Sequence, residues 1–160
     1  MERYQVIIEN EEYITHVRNI AKYESDRKFG HHDMSHFLDV ARVGMLLNLT
    51  EGYDVPKDIL YAAALLHDVG RDVQYEKGTP HDIASRDIAE KILMSTKYDE
   101  DERNMILEAI ASHRNKDIKE EKSLRGLLYR ADKLCRPCFF CEAEPECNWK
   151  SDAKNMELIW

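Results

Sequence analysis

Residues 59–66 read Ile-Leu-Tyr-Ala-Ala-Ala-Leu-Leu and run without a break into His67-Asp68. A helix over this run is apolar on every side, so it must be surrounded. Pro56 just ahead suits a helical first turn. Other helices are the natural cover, because apolar residues recur at helical spacing nearly throughout the chain. The spacing predicts helices over about Glu11–Tyr23, from Ser35 as N-cap through Leu47, over Pro80–Ser95, Glu100–His113 and Ser123–Leu134. Strand-like alternation is scarce. The predicted fold is all-α, a compact single-domain bundle of about six helices. The helical domain is placed at residues 1–134, with a Cys-rich extension at 135–160 packed on it.

Histidines and aspartates sit where these helices should be apolar. His36 shares a stripe with Val40, Val43 and Leu47. His81 lies with Ala84 and Ile88, His113 with Ile106, Ala109 and Ile110, and Asp132 with Leu124 and Leu128. His67 and Asp68 end the central helix. Six ionisable side chains from five helices therefore face one core. A lone core His is commonly satisfied by a carbonyl, but burying two aspartates without partners is very costly. Cations satisfy the set most cheaply. Imidazole nitrogen with carboxylate oxygen suits Fe, Mn or Zn and other divalent metals, Ni or Mg among them. Four His and two Asp fit two metals bridged by one carboxylate, most naturally Asp68.

The ordered set His36, Leu66-His67-Asp68-Val69-Gly70-Arg71, His81, His113 and Asp132 resembles the HD-domain metal-dependent phosphohydrolase superfamily. The resemblance covers roughly residues 30–135 and implies an HD-domain-like helical fold. It implies one metal on His36, His67, Asp68 and Asp132, and a second on His81 and His113 with Asp68 bridging. Members of this kind include small bacterial hydrolases of nucleotides and a few oxygenases. The implied activity is hydrolysis of a nucleotide or other small phosphate ester by a metal-activated water. Asp68 is then catalytic, with Arg71, Arg114 and Lys133 as cations against the phosphoryl group. A di-iron oxygenase, or a non-catalytic nucleotide-binding or redox-sensing module, is the alternative.

Neighbouring residues take lesser roles. His32-Asp33 reads as a loop or helix-cap feature near the pocket entrance, and His16 as structural or exposed. The seven histidines of the chain thus divide into four ligands and three bystanders. Asp72 reads as a loop acid, with proton donation as the other option. The segment Gln74–Thr79 reads as a mobile lid.

All four cysteines fall in one stretch, as Cys135, Cys138, Cys141 and Cys147. The C-x₂-C-x₂-C-x₅-C spacing allows Zn or an iron–sulfur cluster, against disulfides or free thiols. Phe139, Phe140 and Trp149 would pack around such a site.

Acidic residues outnumber basic ones, 31 to 23, giving a formal charge of −8. That balance disfavours a grip on long nucleic acid and leaves room for a local cationic pocket. The expected partner is a small phosphorylated substrate. No apolar run reaches the roughly 20 residues of a membrane span, and Met1-Glu2-Arg3-Tyr4 opens no signal-peptide core. The expected location is cytoplasmic.

Overall fold

A computed structural model describes residues 2–159. Among these, eight α-helices and no strands occur: α1 (Gln5–Glu9), α2 (Glu11–Tyr23), α3 (Met34–Glu51), α4 (Lys57–Leu66), α5 (Arg71–Lys77), α6 (His81–Leu93), α7 (Glu100–Ser112) and α8 (Leu124–Leu134). The all-α prediction holds. No helix is long and apolar enough to cross a membrane among the described residues.

The apolar run becomes α4 at the centre. Ile59, Leu60, Ala62, Ala63, Ala64, Leu65 and Leu66 are all buried, and α3, α6, α7 and α8 pack around them. Burying each large aliphatic side chain here contributes about 1.5–3 kcal/mol. Close packing is set by small residues: a Cβ on Gly44 of α3 would stand 3.2 Å from Leu60 Cδ1.

Helix ends follow the local chemistry. The Asp33 side chain accepts the backbone N–H of His36 and caps α3. Asp33, not Ser35, is therefore the N-cap, and Ser35 lies inside the first turn. Asp99 and Glu102 form a reciprocal capping box on α7. Ser123, where the predicted helix begins, is the N-cap of α8. Pro80 immediately precedes α6.

Two helices exceed the predicted set. α1 is five residues long and α5 seven, too short to show a repeating stripe. α5 also corrects the lid: Gln74–Lys77 is helical, and Gly78 ends the helix with φ +75°. Gln74 is pinned as well, because its Oε1 accepts His81 Nδ1–H at 2.6 Å.

Beyond α8 the chain changes character. Residues 136–159 form only three-residue 3₁₀ turns at Cys138–Phe140, Glu144–Glu146 and Ser151–Ala153. None of these residues is buried. Met1 and Trp160, the outer ends of the two predicted ranges, lie outside the described residues.

Candidate metal centre

Five helix ends converge on one spot. His36 comes from the first turn of α3, His67 from the C-cap of α4 and Asp68 just after it. His81 opens α6, His113 caps the end of α7, and Asp132 sits in the last turn of α8. All six side chains are buried.

Asp68 divides the centre between its two oxygens. Oδ2 lies 3.4 Å from His67 Nε2 and 3.8 Å from His36 Nε2. Asp132 Oδ1 completes this half, 3.3 Å from His36 Nε2 and 3.5 Å from His67 Nε2. Asp68 Oδ1 faces the other half, 3.3 Å from His81 Nε2 and 3.4 Å from His113 Nε2. Within each of the two groups, His36-His67-Asp68-Asp132 and Asp68-His81-His113, the ligand atoms lie within 4.8 Å of one another. Both predicted subsets are brought together with Asp68 shared.

The hydrogen bonds behind the ligands fix their tautomers. His67 Nδ1–H donates to the Ala64 carbonyl at 2.7 Å, and His113 Nδ1–H to the Ile110 carbonyl at 2.6 Å. His81 Nδ1–H donates to Gln74. Each ring therefore turns its Nε2 inward, the usual support of a metal-binding imidazole. His67 Nε2 and Asp68 Oδ1 are buried with no hydrogen-bond partner. Orphaned acceptors of this kind are costly unless a cation meets them. The residues fit a two-metal site.

Electrostatics point the same way. Burial draws His36 down to about 4 and His81 to about 3, so both stay neutral and ready to bind. For His67, burial is outweighed by Asp68 and Asp132, which raise it to about 9. The carboxylates thus favour a positive charge at that spot, supplied by a proton on His67 or by a metal ion that would displace it. Asp68 and Asp132 resist burial and stay well below the usual carboxylate range. The facing His67 and Arg71 hold Asp68 there, and Lys133, His36 and His67 hold Asp132.

His32 lies in the loop ahead of the Asp33 cap and lines the cavity, as its reading expected, and it also reaches the centre. It is 5% exposed, with Nε2 3.7 Å from Asp68 Oδ2. Nδ1–H donates to Glu24 Oε1 at 2.6 Å, and its backbone N–H donates to Glu24 Oε2 at 2.6 Å. The Tyr75 hydroxyl donates to the same carboxylate at 2.6 Å. Burial holds His32 below the ordinary imidazole range against the pull of Glu24. A loop histidine has no periodic stripe, so spacing gave no signal for it. The Asp72 reading is also corrected: its buried carboxylate accepts His16 Nδ1–H at 2.7 Å and Asn19 Nδ2–H at 3.3 Å, joining α5 to α2.

The predicted cations occupy three different settings. Arg71 Nε pairs with Asp68 Oδ2 at 2.9 Å. Lys133 contacts Asp132. Arg114 is half exposed and pairs with Asp82 at 3.1 Å. All three line a cavity of about 1310 Å³ that also reaches His32, His81, His113 and Asp132. Cys138, Cys141 and Cys147 also line it. Cys135 does not. It faces a separate cavity of about 250 Å³, 3.6 Å from His36 Nδ1. Burial pushes its thiol up to about 12.

The sequence matches the HD domain family model over residues 34–136. An uncharacterized protein of Clostridium beijerinckii is 42% identical over the full length of both chains. Ribonuclease Y of Acetivibrio thermocellus is 31% identical over 74% of this chain, and that of Mycoplasma mycoides subsp. mycoides 30% over 74%. The chain spans about a fifth of those two proteins. A crystal structure of a predicted HD superfamily hydrolase from an uncultured Thermotogales bacterium matches with TM-score 0.60 and 27% identity, over 77% of this chain and 66% of that one. With the ligand set assembled on the matched segment, the chain belongs to the HD-domain family.

Proposed function

We propose that the protein is a metal-dependent phosphohydrolase of a nucleotide or other small phosphate ester, working in the cytoplasm with Fe or Mn as its metals. One observation carries the reading: a buried centre with a shared Asp68 opens onto a cavity of opposite charge to the chain. The chain is −8 overall, yet among the described residues the cavity is lined by nine Lys or Arg against four Asp or Glu. Such a local field concentrates an anionic ligand at the centre. Divalent ions held there lower the pKa of a water toward neutrality and offset charge on a phosphate oxygen.

The chain's own residues supply the rest. Asp68 keeps the two ligand groups in register. Arg71, fixed against Asp68, presents its guanidinium edge to the cavity where a phosphoryl group gains charge. Lys133 and Arg114 stand at the same wall for the remaining phosphate oxygens. His32, braced by Glu24, holds or releases a proton at Nε2 beside Asp68.

A second reading takes the substrate to be a phosphodiester in a short RNA strand. The relatives named Ribonuclease Y favour it, and the same cationic lining would serve. The test is phosphate or nucleotide release from a panel of nucleotides, a model phosphodiester and short oligoribonucleotides, with Fe²⁺ or Mn²⁺ added under anaerobic conditions. Turnover lost in both His67→Ala and Asp68→Ala supports hydrolysis, and the preferred substrate selects between the readings. Absence of any turnover that depends on these two residues overturns both.

A further inference from the structure

The C-terminal segment poses a stability problem. Residues 136–159 bury no side chain and contain no helix longer than one 3₁₀ turn. Phe140 is 86% exposed, so the aromatic residues expected to pack this region do not build it a core. Conformational entropy costs roughly 1–2 kcal/mol per ordered residue. Without apolar burial, short segments of this kind are held by disulfides or metals. No disulfide is present among the four cysteines.

The hydrogen bonds that do hold the segment are few. Asn155 Nδ2–H donates to the Lys133 and Arg136 carbonyls at 2.8 and 2.9 Å, and Phe139 N–H donates to the Asn155 carbonyl at 3.0 Å. Lys154 Nζ donates to the Glu144 carbonyl at 3.1 Å and to its carboxylate at 2.6 Å. These tie the segment to the end of α8 and to itself, while Arg136 donates to the His31 carbonyl at 2.9 Å and Glu146 pairs with Lys28 at 3.1 Å.

The cysteines then divide three to one. Cys138 opens the first 3₁₀ turn, Cys141 closes it, and Cys147 closes the second. The two turns pack on each other. All three cysteines line the main cavity. Cys135 points instead into the smaller cavity, between His36 and the Asp132 carbonyl.

We infer that Cys138, Cys141 and Cys147 hold a second, thiolate-ligated metal centre, a zinc ion or an iron–sulfur cluster, that fastens the C-terminal segment as a wall of the main cavity, and that Cys135 takes no part in it. Each thiol releases its proton to solvent as its sulfur binds the metal, with no change of oxidation state at sulfur. Three protein ligands leave one position directed to the cavity.

The full-length protein, purified without oxygen from cells supplied with iron and zinc, gives the test. Metal and acid-labile sulfide are measured in the native protein and in Cys135→Ser, Cys138→Ser, Cys141→Ser, Cys147→Ser and His67→Ala. The expected result is that each of the three cavity-facing variants loses the same metal complement, whereas Cys135→Ser and His67→Ala retain it. Iron with matching sulfide and visible absorption identifies a cluster. Zinc without sulfide, replaceable by Co²⁺ with thiolate charge-transfer bands, identifies a single ion.

Limited proteolysis supplies a second readout. The three variants should be cut within 136–159 while the helical domain stays intact, and the native protein should resist. Equal metal content in the native protein and all three variants overturns the proposal. So does equal loss in Cys135→Ser, or a disulfide between any of the three cysteines. Retention of this metal in His67→Ala keeps the outcome separate from that of the hydrolase reading.

Discussion

His81 and His113 bring their Nε2 atoms to 3.2 Å of each other, and neither can donate, because each Nδ1 already carries the ring proton to an acceptor. Two facing lone pairs at that distance repel unless a cation lies between them and Asp68 Oδ1. His81→Ala or His113→Ala should therefore lower the helical-domain metal content from two per chain to one and leave the His36-His67-Asp132 half loaded. Hydrolysis should fall by about 100-fold or more. Elemental analysis against activity checks both. An unchanged stoichiometry would remove the second site.

Arg71 should separate binding from turnover. Its pairing with Asp68 Oδ2 fixes the guanidinium without making it a metal ligand. Arg71→Ala should keep the metal content and lower kcat by about 10²–10³-fold. Arg71→Lys should restore little, because a point charge cannot reproduce the planar fork. Metal content together with kcat and KM for both variants decides the matter.

Gly70 is required by space. A Cβ there would meet Ser85 N at 2.4 Å and the Ala84 carbonyl carbon at 2.6 Å, both backbone atoms of α6. Its N–H also donates to Ser85 Oγ at 2.9 Å. Gly70→Ala should cost about 3 kcal/mol, lowering Tm by roughly 6–12 °C. Thermal unfolding of the metal-free protein reads this directly. Gly78→Ala, whose Cβ would meet nothing within 4 Å, provides the contrast: strain from its positive φ alone, about 1 kcal/mol.

Glu24 gives the acid limb of stability. Burial opposes its charge, but His32 and Tyr75 hydrogen bonds hold it down at about 2, against an ordinary 4.5. A depressed carboxylate stabilises the fold fully above its unfolded value. This contribution, about 2 kcal/mol, should be complete above about pH 4.5 and lost as pH falls toward 2. Urea unfolding of the metal-free protein and of Glu24→Gln should show the gap at pH 7 closing between about pH 4.5 and 2. A gap independent of pH would place the effect elsewhere.

The sequence makes some of these features legible and hides others, for physical reasons. Helical stripes carry register, so His36, His81, His113 and Asp132 declare themselves by standing among apolar neighbours. His67-Asp68 declares itself by ending a helix too apolar to be anywhere but the centre. His32 and Glu24 sit in a loop and at a helix end, where no period exists, and only the folded chain brings His32 beside Asp68 with Glu24 behind it. The His16–Asp72 pair links residues 56 apart in sequence. α1 and α5 are shorter than the window over which periodicity can be read. The three-to-one division of the cysteines depends on where α8 stops, which spacing alone does not specify.

The carbonyls that orient His67 and His113 belong to residues three positions earlier in their own chain segments, Ala64 and Ile110. No side-chain replacement can delete a backbone acceptor. Mutation can therefore strip the supports of His32 or His81 by changing Glu24 or Gln74, while His67 and His113 keep theirs for as long as their helices end where they do. Each half of the centre thus holds one histidine insured by the backbone itself, His67 or His113, beside one exposed to drift through its supporting residue, His32 or His81.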